Sequence, residues 1–571
     1  MNSEMLIWAW WGWEPLQFYL WNNGKPEERT DDELAELRFW YDLLHREDSV
    51  RQAAELGVNC IVTHFVKGFG LAAEQEEICN CRKLTEICHR HGIKVFGYLQ
   101  YGSIFHESFF KEHPEAVNWI KVDQSGAPVL WCGSPGRYLP CINSPEYLEH
   151  LKKCICTGIQ EVGLDGLHFD NFYAQPCYCQ RCNRAYRDFC GEAQPSPDEI
   201  NDAPYSEKVR RWVKYRVQVL TERMTVLRNY ARSLDPEIMT IWNPSPIRGT
   251  LDQRLIRAAD FCELGKNAGM LWAESGNCPR MSDGKLINQV NFFKTAEAIG
   301  YQLFSTTWKS GKEGHGLVST PREVKLVTAE AAVFGAWPGT NFMMRQQNIK
   351  DFPDGELCQA FRSMVKFYRD NRELFVGSIP AGEVVLHFDW EEAEKDFSKV
   401  YGEFQILQQI MLQYQISYDL SFSGYSILPA EKPVISTGKI PNSVHKAVHI
   451  APQEINAEIS GSYSASASLP ADAEKIAGKI ISAIDNRELT VNAPPTVLIE
   501  RRHTADGRNV LHCINYDNAN PFYNLKVKFA VPVEKARWIS PDFDGMIPVS
   551  GSDITLDKLD TWAVLVWEEA K

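Results

Sequence analysis

The chain has 571 residues, more than one ordinary domain holds, so we expect about two to four domains. Hydrophobic residues make up 44% and charged residues 23%, which excludes a largely disordered or fibrous chain. The formal net charge is −14 and no basic block occurs, so nucleic acid and anionic membranes are not expected as partners.

The 16 cysteines indicate where the protein resides. No basic-then-apolar leader precedes the first apolar run, so we expect a cytoplasmic protein with reduced thiols. No apolar run approaches the roughly 20 residues that span a bilayer. We therefore expect no contact with a membrane.

Short apolar runs alternate with amphipathic stretches from residue 4 to about residue 345. The predicted strands are Leu6–Trp13, Val58–His64, Ile93–Tyr98, Gly166–Asp170, Ile238–Asn243, Phe261–Glu263, Tyr301–Thr307 and Gly335–Asn341. This series predicts an α/β fold, an elaborated (β/α)₈ barrel, rather than an open doubly wound sheet. No glycine-rich phosphate loop follows any of these strands, which weakens the nucleotide-binding alternative.

The pattern changes after the barrel. A strand at Glu383–Phe388, a helix at Lys399–Tyr414 and a second strand near Ile416–Leu420 predict a small α/β domain. From residue 496 the strands are short and rich in turns, which predicts a β-sandwich. We assign residues 1–377 to the barrel, 378–490 to the α/β domain and 491–571 to the sandwich.

Reacting groups of such barrels lie at the carboxyl ends of the strands. Asp170 closes the fourth predicted strand and Glu263 the sixth. Two carboxylates that reach one pocket are what glycoside hydrolysis needs, one as nucleophile or base and the other as acid. We predict this pair as catalytic, with Glu14 and Glu274 as competitors for the role of Glu263.

Other polar and aromatic residues at or near predicted strand ends are candidates for substrate binding. His168 lies two residues before Asp170, so both side chains are expected on the same side of the strand. Four tryptophans, Trp337 among them, would stack on sugars. The candidates are Trp10, Trp11, His64, Tyr98, Gln100, His168, Asn171, Asn243, Trp308, Lys309, Asn341 and Arg345.

A cysteine motif follows the fourth strand. Cys177, Cys179 and Cys182 form Cys-x-Cys-x₂-Cys, three soft ligands within six residues. Zinc prefers four tetrahedral ligands, and Cys141 or Cys132 could supply the fourth. The alternative is a group of reduced thiols beside the barrel.

A resemblance to a known family extends over this segment. Cys141-Ile-Asn-Ser-Pro-Glu-Tyr147 and Cys177-Tyr-Cys-Gln-Arg-Cys182 are similar to a segment of the barrel β-galactosidases that carry a trimerisation domain. In that family a cysteine before Pro-Asn-Ser-Pro and the Cys-x-Cys-x₂-Cys cluster hold one zinc. The resemblance thus implies a zinc site made of Cys141, Cys177, Cys179 and Cys182, and a small α/β domain after the barrel.

The end of the fourth strand departs from that family. The β-galactosidases carry Asn-Glu there, and the Glu is their acid/base, whereas here Asn171 is followed by Phe172. The stretch Asp165–Asn171 instead resembles glycoside-hydrolase barrels described as α-L-fucosidase-like. In retaining α-glycosidase barrels an Asp that ends strand four is the nucleophile, which this resemblance implies for Asp170.

We therefore predict an exo-acting glycoside hydrolase that removes a terminal, α-linked sugar without a catalytic cofactor, with zinc as a structural ion. One alternative is a sialidase-like hydrolase of acidic sugars that uses His168 and Asp170, with Arg137, Lys309 and Arg345 near the substrate. Another is a non-catalytic carbohydrate-binding barrel. The small α/β domain suggests a dimer or trimer.

Overall fold

We describe a computed structural model of the chain. It covers residues 5–12, 14–21, 30–200, 203–244, 252–282, 284–308, 320–340, 352–429, 431–455, 459–460, 466–467 and 469–568. The positions predicted for Lys309, Asn341 and Arg345 lie outside these residues, and the side chains of Glu274 and Trp308 are not described.

The first part of the chain is a curled, eight-stranded parallel sheet. Its strands are β1 (Trp8–Trp10), β2 (Cys60–Val66), β3 (Lys94–Gln100), β4 (Gly166–Asp170), β5 (Met239–Trp242), β6 (Met270–Asn277), β7 (Gln302–Trp308) and β8 (Gly339–Thr340). The order across the sheet is β7-β6-β5-β4-β3-β2-β1-β8, and every neighbouring pair is parallel. Because β7 and β8 are also in contact, the sheet curls into the predicted barrel.

The barrel interior is filled by large side chains from alternate strand positions. Trp8, Trp10, Trp272 and Phe304 form an aromatic cluster there, with the Trp272 and Phe304 rings stacked at 5.6 Å. The intervening residues, such as Phe169, face the helices outside and join the main core. This alternation follows from the period of two along a strand and fixes which residues can reach the barrel interior.

Helices cover the outside of the barrel. The described α-helices of this part of the chain, of which Leu16–Trp21 lies against the site described below, are Leu16–Trp21, Asp31–Leu44, Glu47–Leu56, Gln75–Arg90, His106–Glu112, Pro145–Cys156 with its extension Thr157–Val162, Gln180–Cys190, Pro197–Ile200, Glu207–Leu234, Gln253–Arg257, Phe261–Ala268, Val290–Ile299, Pro321–Val333 and Glu356–Asp370. Seven of the eight predicted strands agree with the observed strands to within a few residues at each end, where the structure describes those residues.

The sixth predicted strand is wrong. Phe261, Cys262 and Glu263 begin a helix, and the sixth strand is Met270–Asn277. The Asp260 carboxylate caps this helix by accepting hydrogen bonds from the backbone N–H groups of Cys262 and Glu263. Glu263 is therefore in the first turn of a helix outside the barrel sheet, and Glu274 lies on the strand instead.

In the described part of the chain, two larger sheets follow the barrel, besides a two-stranded one formed by Ile459–Ser460 and Ser466–Ala467. Four parallel strands, Val384–Phe388, Tyr418–Phe422, Val434–Ser436 and Ala447–His449, pack with the helices Phe397–Gln413 and Ala473–Ile481. An antiparallel sheet contains Ile379–Pro380, Leu489–Asn492, Val497–His503, Asn509–Asn515, Phe522–Ile539, Met546–Leu559 and Trp562–Trp567. The barrel followed by an α/β unit and a C-terminal antiparallel β domain confirms the predicted fold class, while the domain limits at residues 377 and 490 stay predictions.

Among the described residues, every helix is too short or too polar to cross a bilayer.

Candidate functional site

Asp170 is the last residue of β4 and lies opposite Gln100 at the end of β3. The side chains of Leu167 and Phe169 are buried between the barrel sheet and the surrounding helices, and the Phe169 ring stacks on Trp242 with 4.0 Å between the ring centres. His168 and Asp170 alternate with them and therefore face the barrel interior. The Asp170 residue is 7% exposed, so the barrel presents a nearly buried carboxylate at the carboxyl end of its fourth strand.

Both carboxylate oxygens of Asp170 accept hydrogen bonds from neighbouring strand ends. The Asn243 amide, which follows β5, donates to Oδ1 at 2.7 Å. The Tyr98 hydroxyl and the Asn171 amide both donate to Oδ2. Asn171 adopts a φ of 52°, a left-handed conformation that asparagine tolerates better than most residues. These donors fix the orientation of the carboxylate.

A buried ion pair lies next to Tyr98. Lys67, directly after β2, donates to the Glu14 carboxylate at 2.9 Å and to the Tyr98 hydroxyl at 3.1 Å. Its ammonium also lies 4.7 Å from the centre of the Phe18 ring. Burial raises the pKa of Glu14 and lowers the pKa of Lys67, although each partner's charge opposes the shift. Lys67 was not predicted as a site residue, although its position directly after a buried strand was a signal.

Arg137 approaches the same group of residues from the long segment between β3 and β4. Its Nε donates to Ser103 Oγ at 2.7 Å and its Nη2 to Gln100 Oε1 at 3.3 Å. The guanidinium lies 3.8 Å from the centre of the Trp131 ring and 5.0 Å from that of Phe105. The site thus contains two cations and two carboxylates within a network that is almost closed to solvent.

His168 lies between this network and the aromatic interior. Its ring is 4.9 Å from Trp272 and 5.6 Å from Trp10, and its two nitrogens have no hydrogen-bond partner among the described residues. Burial lowers the pKa of His168 to about 4, so the imidazole is neutral at pH 7. The structure therefore places His168 beside Asp170 as a neutral ring.

Two predicted binding residues make their contacts elsewhere. The Trp11 indole donates to the backbone oxygen of Leu44 at 2.8 Å and belongs to the core outside the sheet. The His64 Nε2 lies 3.2 Å from the Tyr41 hydroxyl and 3.0 Å from His45 Nε2. Both side chains thus pack against the helix Asp31–Leu44.

The predicted catalytic pair is not joined in the structure by any contact between described residues. Glu263 accepts a hydrogen bond from the Tyr425 hydroxyl at 2.8 Å, across the boundary with the small α/β unit. It lines a cavity of about 710 Å³ together with Asp260, Arg254 and the helix Glu207–Leu234. Asp170 does not line that cavity. Trp337, predicted as a stacking residue, packs edge-on against Phe304 at 5.0 Å.

The four cysteines implied as metal ligands come together beside the barrel. Their sulfur atoms all lie within 4.8 Å of one another, with Cys141 Sγ 3.4 Å from Cys182 Sγ and 3.7 Å from Cys179 Sγ. A tetrahedral zinc with Zn–S bonds of about 2.3 Å separates its sulfurs by about 3.8 Å, so the cluster fits this ion. Cys132, the other candidate for fourth ligand, is exposed and outside the cluster.

The thiols of this cluster influence one another. Hydrogen bonds from the neighbouring thiols, that of Cys141 first, lower the pKa of Cys179. Cys179 also caps the helix Gln180–Cys190, since its sulfur accepts a hydrogen bond from the backbone N–H of Cys182. The helix start thus holds two of the four sulfurs at a fixed spacing.

The chain is similar to known proteins in sequence over a short stretch and in structure over nearly its whole length. No family model matches the chain. A β-galactosidase, bgaB, of Geobacillus kaustophilus is 27% identical over 130 residues, which are 21% of this chain and 18% of that protein. A β-galactosidase of Geobacillus sp. strain Y412MC61 is 26% identical over the same length. The match thus spans less than a fifth of the length of these curated relatives.

Solved structures match over nearly the whole chain. The β-galactosidase from Bacillus circulans sp. alkalophilus has a TM-score of 0.65 at 12% identity and is covered to 99%, as is this chain. Alpha-L-fucosidase isoenzyme 2 from Paenibacillus thiaminolyticus has a TM-score of 0.64 at 14% identity, with coverage of 92% of this chain and 96% of that one. The chain therefore has the fold of these glycosidases.

Proposed function

We propose that the protein is an exo-acting glycoside hydrolase that removes a terminal, α-linked sugar, with Asp170 as nucleophile or as base toward water. The observation that carries the proposal is the Asp170 carboxylate, held by Tyr98, Asn171 and Asn243 at the carboxyl end of the fourth barrel strand. Support comes from the glycosidases that share this fold, two β-galactosidases and an α-L-fucosidase among them. The α linkage rests on the fucosidase-like Asp165–Asn171 stretch.

A second carboxyl group must protonate the departing oxygen. We propose Glu14 for this role in place of Glu263. Glu14 is connected to Asp170 through Lys67 and the Tyr98 hydroxyl, and burial raises its pKa, which favours the protonated form that an acid needs. Glu263 contacts Tyr425 instead. Glu274, on the sixth strand, is the remaining candidate.

Zinc is the ion we propose for the cysteine cluster. Cys141, Cys177, Cys179 and Cys182 would complete its four ligands, which leaves no open position for a substrate. When bound, the ion would cross-link two segments beside the barrel. Its role is therefore structural, and the sugar chemistry is assigned to Asp170 and its neighbours.

The expected assembly and location extend this proposal. We propose a cytoplasmic dimer or trimer, on the basis of the small α/β unit and the resemblance to β-galactosidases with a trimerisation domain. Light scattering on the purified chain should give two or three times the mass of 65.1 kDa. A single-chain mass would contradict the proposed assembly.

The test is a panel of nitrophenyl glycosides and sialosides, with methyl glycosides as substrates that have a poor leaving group. We expect the wild type to cleave at least one α-glycoside and Asp170→Asn to lower kcat by about 10²–10⁴-fold. Glu14→Gln should impair the methyl glycoside more than the nitrophenyl one, because only the poor leaving group requires a proton. Glu149→Gln, an exposed carboxylate on the helix Pro145–Cys156, is the matched control.

Each other outcome has a definite meaning. Full activity of Asp170→Asn would contradict the assignment of the site. A selective loss with Glu263→Gln, and none with Glu14→Gln, would restore the pair predicted from the sequence. If nothing is cleaved but a sugar raises the melting temperature, the protein is a carbohydrate-binding barrel.

A further inference from the structure

Arg137 is a buried cation with no carboxylate of the described residues in direct contact. It is 2% exposed, and it forms no ion pair with any residue in the described part of the chain. Its two hydrogen-bond acceptors, Ser103 Oγ and Gln100 Oε1, are both neutral. The charges of Glu14 and Asp170 act on the guanidinium from a distance, but neither carboxylate contacts it, so the direct contact is left to an anionic ligand.

A second donor at the same place also lacks an acceptor. Gln100 is 2% exposed, and its Nε2 has no hydrogen-bond partner in the part of the chain that the structure describes. Its Oε1 accepts from Arg137 and from the Asn171 amide at 3.4 Å, which fixes which end of the amide carries the unused hydrogens. The Arg137 guanidinium and the Gln100 amide therefore lie side by side, and each has N–H groups that donate to no described residue.

The other cation of the site already has a carboxyl partner. Lys67 Nζ lies 2.8 Å from Glu14 Oε2, so its direct contact is made within the protein. Arg137 is held differently, because Nε and Nη2 are engaged while Nη1 donates to no described residue. Its plane is further fixed by Trp131, Phe105 and the Phe18 ring 5.8 Å away. An oriented guanidinium with a free edge is suited to a carboxylate.

A short chain of contacts connects Arg137 to Asp170 through Gln100 and Tyr98. Gln100 Oε1, to which Arg137 donates, is also 3.0 Å from the Tyr98 hydroxyl that donates to Asp170. One amide oxygen thus separates the guanidinium from the group that contacts the proposed nucleophile. A sugar whose anomeric carbon lies at Asp170 can place a ring substituent against Arg137.

We propose that the terminal sugar recognised by this protein carries a carboxylate, as uronic and sialic acids do, and that Arg137 with the Gln100 amide binds it. This inference rests on the proposed function, because it names the substrate class of the same site. Arg137 is the residue that sets the preference for an acidic sugar over its neutral counterpart.

Calorimetry with free sugars on the full-length chain tests the proposal without requiring turnover. Glucuronate, galacturonate and N-acetylneuraminate are compared with glucose and galactose. We expect at least one acidic sugar to bind about tenfold or more tightly than the neutral sugars. Arg137→Gln should bring that ratio close to one, and Arg137→Lys should leave part of it, since the charge remains but the planar fork is lost.

Arg82→Gln, which removes an exposed arginine from the helix Gln75–Arg90, is the matched control and should keep the full preference. Melting temperatures of all variants show whether each is folded. Equal binding of acidic and neutral sugars by the wild type, no binding of any acidic sugar at millimolar concentration, or a preference that survives in Arg137→Gln would each overturn the proposal.

Different results would overturn the carboxylate-binding site and the glycosidase activity. Asp170-dependent cleavage of neutral glycosides alone would leave a glycosidase without a carboxylate site. An Arg137-dependent preference for acidic sugars, without hydrolysis of any glycoside, would leave a carboxylate site in a protein that is not a glycosidase.

Discussion

Asp170 has little freedom of movement, because Asn243 holds one carboxylate oxygen while Tyr98 and Asn171 hold the other. A nucleophile or base that is oriented before the substrate arrives saves the entropy of orienting it during the reaction. Tyr98 is the central member of this network, since its hydroxyl also accepts from Lys67. It therefore connects the two carboxylates to which we assign the chemistry.

Tyr98→Phe should preserve the ring and remove these contacts. A hydrogen bond to a charged group contributes about 1.5–3 kcal/mol, so we expect kcat to fall by roughly 10–100-fold. The measurement is steady-state hydrolysis of the best substrate from the panel. Tyr414→Phe, a half-buried tyrosine after the helix Phe397–Gln413, is the control and should keep full activity. Unchanged kcat in Tyr98→Phe would show that this network does not serve the reaction.

The position of a residue in the chain predicted much of this network. Tyr98, Gln100, His168, Asn171 and Asn243 were found because they follow or end buried strands, and parallel strands bring such positions to one edge. Which of them contact Asp170 depends on the register between strands, which the alternation of residues does not reveal.

The residues that sequence reasoning missed or misplaced have a different cause. Lys67 follows its strand as the candidates did, but an isolated lysine reads as a solvated surface charge until its burial is known. The indole of Trp11 and the imidazole of His64 bind to the helix Asp31–Leu44, whose position against the sheet is a tertiary property. Short-range patterns contain no information about such contacts.

At the scale of elements, the error in the sixth strand came from a short apolar run. A run of three residues fits a strand and a helix equally well, and length decides between them. Two signals favoured a helix. Asp260 is a typical N-cap residue, and the helical pattern continues beyond Glu263 to Ala268. The misplacement mattered for function, because it assigned Glu263 to the inner end of a strand.

The cysteine cluster ties the helix Gln180–Cys190 to the loop before the helix Pro145–Cys156. Elemental analysis of the purified chain should find about one zinc per chain. Cys182→Ser should lose most of it and lower the melting temperature, because the free energy of metal binding adds to the free energy of unfolding.

Cys132→Ser is the control, since Cys132 is an exposed cysteine of the same region outside the cluster. It should retain the metal and the melting temperature of the wild type. A metal-free wild type, prepared without chelators, would contradict the zinc assignment and leave four reduced thiols.

At the scale of the whole molecule, buried polar contacts join the barrel helices to the C-terminal sheet. Lys294 donates to Glu500 at 2.7 Å, and the Tyr516 hydroxyl donates to Glu330 at 2.8 Å. Glu330 is 1% exposed, and burial raises its pKa to about 8. The contact between the barrel and the C-terminal domain is therefore sensitive to pH.

The direction of this effect follows from the two pKa values of Glu330. In the unfolded chain a glutamate titrates near its ordinary pKa of about 4.3, so the folded state holds the proton more tightly. The resulting stabilisation is full below about pH 4.3 and is lost as the pH rises toward 8. Glu330→Gln should remove this loss, because the amide keeps an acceptor for Tyr516 and does not ionise.

Urea denaturation at pH 5.5 and pH 8.5 measures this pH dependence of the stability. We expect the midpoint of the wild type to fall more between these pH values than the midpoint of Glu330→Gln. Glu149→Gln should follow the wild type. Parallel pH dependence of Glu330→Gln and the wild type would mean that Glu330 is not protonated in the folded protein at pH 5.5.

The fold itself was predictable at this scale. Eight apolar runs spaced by amphipathic stretches predicted the barrel, and seven of the eight were placed correctly where the structure describes them. The contacts between the barrel and the later sheets could not be predicted, because residues such as Lys294 and Glu500 are 206 positions apart in the chain.

A crystal structure of Asp170→Asn with an uncleaved glycoside bound tests most directly whether Asp170 is the reacting carboxylate. We expect the side chain at position 170 to lie about 3–3.5 Å from the anomeric carbon, at the carboxyl end of the fourth strand. A sugar bound with its anomeric carbon beyond the reach of residue 170, for example in the cavity beside Glu263, would contradict the assignment of Asp170.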